Sequence, residues 1–119
     1  MEPTLRPESG FRRLRIDFSY DGTNFSGWAR QPGLRTIQGE LEAALSTLYR
    51  RDLEPVVAGR TDAGVHASAQ VAHVDIPEGD FGFEFESLTY KLNRILSDEI
   101  RIKSIERTSN EFHARFGAL

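Results

Sequence analysis

Cysteine is absent from the 119 residues, so disulfides, thiolate metal sites and a cysteine nucleophile are all excluded. That composition fits a reducing compartment. Long apolar runs are also missing: none approaches the roughly 20 residues needed to span a bilayer. The opening "MEPTLRPESG" lacks the apolar core of a secretory signal. The expectation is a soluble, cytoplasmic protein with no membrane partner. Positive charge is not in excess either, since 15 Lys and Arg against 18 Asp and Glu leave a net charge of −3. A simple basic coat for nucleic acid is thereby excluded, but a local basic face is not. Arg12, Arg13, Arg15, Arg30 and Arg35 crowd the first third, whereas Glu78, Asp80, Glu84 and Glu86 form an acidic stretch.

What is present is the composition of one globular domain. Pro3, Pro7 and Gly10 predict a flexible arm over residues 1–10, which leaves 11–119 as the domain. Leu14, Ile16, Phe18 and Tyr20 alternate with polar residues, the period of a strand with one buried face. Ile37, Leu41, Ala44, Leu45 and Leu48 recur at helical spacing after Thr36, a good N-cap. "VVA" (56–58) and "AQVAHVDI" (69–76) predict strands, the second stopped by Pro77. Phe85, Leu88, Leu92, Ile95 and Leu96 predict a second helix, and "IRIKSIER" (100–107) a fourth strand. In that strand Ile105 is out of phase with Ile100 and Ile102, which calls for a bulge. The tail from Thr108 shows no clear element. The order is β-α-β-β-α-β, an α+β, ferredoxin-like arrangement with two helices on one face of an antiparallel sheet. Fold alone names no function.

Chemistry concentrates in "AGRTDAGVHA" (58–67). It has the outline of a phosphate loop, but Val65 and His66 stand where Lys and Ser/Thr are required. His66, His73 and His113 match no zinc spacing, and His73 lies in a strand pattern that suits a structural histidine. An RRM-like stacking platform fails too. "DFGFEF" (80–85) is the nearest imitation, and core packing accounts better for Phe81, Phe83 and Phe85. Nor does any pocket signature support a small-molecule-binding domain. Asp62 has two readings: an Asx-type turn between Gly59 and Gly64, or an ionised carboxylate beside Arg60 that serves as nucleophile or general base. Residue types alone leave both open.

The segment "GRTDAGVHA" closely resembles the catalytic motif of the tRNA pseudouridine synthase A (TruA) family. "YDGTNFSGWARQ" (20–31), "TIQGELEAAL" (36–45), "LNRIL" (92–96) and "FHARF" (112–116) follow the family's pattern in order, so the resemblance covers 12–116. It implies an isomerase of uridines in the tRNA anticodon stem-loop, working without cofactor or metal, and a homodimer. By position Asp62 is the essential aspartate, acting either on the base or at the ribose, and Arg60 orients it and helps hold the flipped nucleotide. Gly59 and Gly64 then allow close approach of RNA, and Thr61 joins Gly64 as an RNA contact of the same loop. Further RNA contacts are expected from Arg30, Gln31 and Arg115. His66 divides between an RNA contact and a structural bond. Trp28 is expected to pack, as are the rings of Phe112 and Phe116, whereas Arg12, Arg13 and Arg15 divide between RNA and a solvated face. Family members are about twice this length. The resemblance thus implies an N-terminal half whose C-terminal domain, with the family's stacking tyrosine, is needed to complete the active site. Tyr20, Tyr49 and Tyr90 belong to earlier elements and cannot take that role. Such a half is expected to be inactive alone, with a non-catalytic RNA-binding or assembly module as the alternative.

Overall fold

The structure, a computed structural model, describes residues 6–79 and 84–117. In chain order the elements are β1 (Phe11–Tyr20), α1 (Ile37–Tyr49), β2 (Val56–Val57), β3 (Ala67–Pro77), α2 (Phe85–Ile95), β4 (Ile100–Arg107) and α3 (Ala114–Gly117). The strands form one sheet in the order β2-β3-β1-β4, with every neighbouring pair antiparallel. The crossover through α1 leaves a gap between β1 and β2, and β3 fills it. This is the expected split βαβ arrangement.

Alternation in β1 is what divides the two faces. Leu14, Ile16, Phe18 and Tyr20 share one buried cluster with Ile37, Leu41, Ala44 and Leu45 of α1 and with Leu88 and Leu92 of α2. Both helices therefore cover the same face. Thr36 caps α1 as predicted, its Oγ1 accepting the Gly39 N–H at 3.1 Å, a bond worth about 1 kcal/mol. The expected bulge lies in β4. Ile105 pairs with Ile16, Ser104 with Asp17 and Ile102 with Phe18, so Lys103 is the extra residue. With it, Ile102 and Ile105 both reach the core. The outer side of β4 is partly closed by α2: Asn93 donates to the Ile102 carbonyl at 2.9 Å and accepts the Ile102 N–H at 2.8 Å. One side-chain amide thus substitutes for a neighbouring strand.

The opposite sheet face corrects two expectations. Arg13 is neither an RNA contact nor solvated. It is wholly buried, bonded to both Asp75 oxygens at 2.7 and 2.9 Å and to the Phe112 carbonyl at 2.8 Å. Arg15 is half exposed and paired with Asp17, and the Arg12 guanidinium stands 5.9 Å from the Phe85 ring centre. The second correction concerns "FHARF". Phe116 is 60% exposed and Phe112 only partly buried, whereas His113 and Ala114 are buried. Residues 114–117 make one helical turn, so the inward positions are not the alternating ones. His73 is structural as expected: it is buried, and its Nδ1 accepts the Ala114 N–H at 3.0 Å. Burial first, and then Arg13, lower its pKa to about 4. Phe81 and Phe83 lie outside the described residues, as do residues 1–5 of the expected arm.

Candidate active site

Asp62 sits on the connection from β2 to β3. The hairpin extends past β2 through Ala58 N–H to the Val71 carbonyl at 2.8 Å, and Gln70 holds the Gly59 carbonyl at 2.8 Å. Beyond these bonds the loop turns tightly. The Val65 N–H donates to the Asp62 carbonyl at 3.1 Å, and Gly64 occupies the left-handed region at φ +78°. Main chain closes this turn, while the Asp62 side chain is exposed and bonded to no described residue. The Asx-type arrangement occurs elsewhere, at Asp21. Its Oδ1 accepts the Thr23 hydroxyl at 2.6 Å and the Thr23 N–H at 3.0 Å, which holds the Asp21 carboxyl below its usual pKa.

The segment 20–28, between β1 and α1, braces the Asp62 loop from behind. Trp28 N–H reaches the Thr61 carbonyl at 3.0 Å, Gly64 N–H reaches the Phe25 carbonyl at 3.1 Å, and the Tyr20 and Thr61 hydroxyls meet at 2.6 Å. His66 Nδ1 accepts the Gly22 N–H at 2.9 Å, with an Asp21 oxygen 3.1 Å away. The two backbones touch closely. A Cβ on Gly22 would fall on the Val65 carbonyl, and one on Gly27 would lie 2.9 Å from the Thr61 oxygen. The brace is itself anchored. Phe25 and Trp28 are buried, the latter as the expected packing ring. Arg35 covers the Phe25 ring at 4.2 Å and is paired with Glu40 and Glu99.

A shallow cavity of about 380 Å³ opens beside His66, lined also by Ser19, Tyr20, Ser68 and Arg101. Asp62 is not part of its wall. Arg60 is exposed and makes no ion pair with Asp62 or any other described residue. Thr61 and Gly64 belong to the braced turn. Arg30 and Gln31 follow the brace and are bound into their own surroundings, Arg30 to Glu42 at 2.6 Å and Gln31 to the Ser26 carbonyl at 3.2 Å. Arg115 is exposed on α3, against the Phe116 ring. Among the described residues no group of three His, Asp or Glu side chains could hold a metal ion. Among the described residues no helix is long and apolar enough to cross a membrane. The reading from residue types passed over the brace itself, although two glycines spaced among aromatics in a polar segment are its signal.

Fold and site together define an α+β domain that presents an unbonded carboxylate at the end of its sheet. A family profile described as tRNA pseudouridine synthase matches residues 18–117. The chain is 50% identical over 114 residues to tRNA pseudouridine synthase A of Streptomyces griseus, covering 94% of this chain and 40% of that protein. It is 48% identical over 110 residues to the protein of that name from Cutibacterium acnes, covering 90% and 38%. For the one from Bacillus pumilus the identity is 44% over 109 residues, covering 90% and 43%. The chain belongs to the tRNA pseudouridine synthase family, and it spans about 40% of the length of these relatives.

Proposed function

We propose that the protein converts uridine to pseudouridine in the anticodon stem-loop of tRNA, with Asp62 as the essential catalytic residue. The bond between ribose and the uracil nitrogen breaks, the base turns, and a ring carbon rejoins the ribose. Substrate and product have the same atoms, so the reaction consumes no cofactor or co-reactant. The observation that carries this reading is Asp62 itself: exposed, bonded to no described residue and held forward by a braced loop within the family's motif. The uracil must leave its stack for its glycosidic bond to be reached and for the base to turn. Arg60, Gly64 and His66 lie on the same loop and are proposed to hold the nucleotide and its backbone, while the Thr61 side chain faces the brace, its hydroxyl 2.6 Å from that of Tyr20. Arg30, Gln31 and Arg115 are proposed to contact RNA farther out, where the exposed Arg30 guanidinium exchanges its partner Glu42 for phosphate. The segment beyond these residues in proteins of the relatives' length is proposed to complete the cleft, and the working protein is a cytoplasmic homodimer.

Asp62→Asn in the gene's complete product tests this. The expected result is loss of pseudouridine formation with tRNA affinity retained. Turnover near that of the unsubstituted protein would reject the assignment. The share of the relatives covered favours a second reading for the 119 residues alone, namely salt-sensitive tRNA binding without turnover. Pseudouridine formation by this chain by itself would reject that reading.

A further inference from the structure

We propose that Tyr20 is a positioning residue for Asp62, acting through the hydroxyl of Thr61; this inference rests on the catalytic reading of Asp62. Since the Asp62 carboxylate bonds to no described residue, its aim is set by the main chain that carries it. That main chain is held on both sides. After Asp62 it is held at Gly64 by Phe25 and at His66 by Gly22. Before Asp62 the holds are at Thr61, through the Trp28 N–H to its carbonyl and through Tyr20 to its side chain.

Of these bonds, the one from Tyr20 is the single side-chain tie from the sheet to the residue before the aspartate. Tyr20 ends β1 and is 4% exposed. Its ring centre is 6.0 Å from that of Phe18, which lies 6.0 Å from that of Trp28. A ring fixed in this stack makes its hydroxyl a rigid post. The 2.6 Å separation from Thr61 Oγ1 is at the short end for two hydroxyls. Threonine has a stiff χ1, so fixing Oγ1 fixes the side chain and, with the Trp28 bond, the peptide that leads into Asp62. Without the post the loop keeps its turn and its other ties, but the carboxylate samples a wider arc.

Reaction rates respond steeply to such a change. A displacement near 1 Å can cost on the order of a hundredfold in rate. The experiment is steady-state pseudouridine formation on unmodified tRNA by the gene's complete product carrying Tyr20→Phe, Thr61→Val, Thr61→Ser, or Tyr20→Phe with Thr61→Val, and Asp62→Asn alongside. Tyr20→Phe and Thr61→Val are each expected to lower kcat roughly tenfold or more. KM and tRNA affinity should stay within about twofold, and Thr61→Ser, which keeps the hydroxyl, should retain kcat. The double variant is expected to be no slower than either single one, because both remove one bond. Additive losses would show that the two hydroxyls act separately, and a change in KM would mark a merely structural role; either overturns the proposal. So does undiminished kcat in Tyr20→Phe and Thr61→Val while Asp62→Asn is inactive, a result that leaves the proposed function standing. Active Asp62→Asn rejects the proposed function itself. Should Tyr20→Phe fail to fold, the contrast between Thr61→Val and Thr61→Ser on the loop surface decides.

Discussion

Two loops meet at one end of the sheet, and each carries an aspartate and two glycines, yet they are built for opposite tasks. In 20–28 the Asp21 carboxylate is engaged in a local turn with Thr23, and neither Gly22 nor Gly27 has room for a side chain. In 58–66 no described residue engages the Asp62 carboxylate, and a Cβ on Gly59 or Gly64 would meet no described atom within 4 Å. One loop is a support pressed against main chain, and the other is what it holds up. The contrast divides the glycines. Those beside Asp62 leave open space around the carboxylate, while those that permit close backbone approach lie some 35 to 40 residues earlier.

Alanine at each glycine tests that division, read by denaturant unfolding. Gly22→Ala should be the most damaging, on the order of 3 kcal/mol, because the Val65 main chain cannot yield as a flexible side chain would. Gly27→Ala should cost about 2 kcal/mol, combining φ +88° with the 2.9 Å approach to Thr61. Gly64→Ala meets no atom but keeps φ +78°, for about 1 kcal/mol. Gly59→Ala should fall within about 0.5 kcal/mol. A reversed order, with Gly59 or Gly64 costing more than Gly22, would mean that the support and the supported loop have been exchanged.

Away from the site, the polar sheet face offers a smaller effect. The His73 imidazole is neutral when folded, with its pKa lowered to about 4 by burial, by Arg13 and by His113, against an opposing pull from Asp75. Unfolded, it titrates near 6.5. Between pH 6.5 and 4 the unfolded chain binds the extra proton, so stability should fall as pH falls through that window and be unaffected by this group above it. His73→Gln should flatten the slope of unfolding free energy against pH there. An unchanged slope would place the titrating group elsewhere.

How much of this was legible in the sequence depends on which interactions set each feature. Period-two and helical spacing revealed β1, α1 and α2, and the phase break at Ile105 revealed the bulge, since all follow from which side faces the core. Thr36 was legible because a cap is local. Arg13 was not: its burial depends on Asp75, which is 62 residues away in sequence, and on the Phe112 carbonyl, 99 away. Phe116 was misplaced because a single turn of helix leaves no periodicity to read, and Phe112, just before that turn, is only partly buried. Of the site, the motif marked Asp62 and its neighbours. The brace from Tyr20 to Trp28 escaped notice because glycine spacing does not say which main chain the glycine will touch. The ion pair of Arg30 with Glu42 and the lack of one between Arg60 and Asp62 were equally invisible, since proximity in sequence is not proximity of side chains.

The most direct test of the central claim moves the carboxylate without removing it. Single-turnover pseudouridine formation, with tRNA saturating, should fall at least on the order of a thousandfold in Asp62→Asn. Asp62→Glu, which displaces the same charge by one methylene, should fall nearly as far with unchanged tRNA affinity. Rapid turnover by either variant would contradict the account.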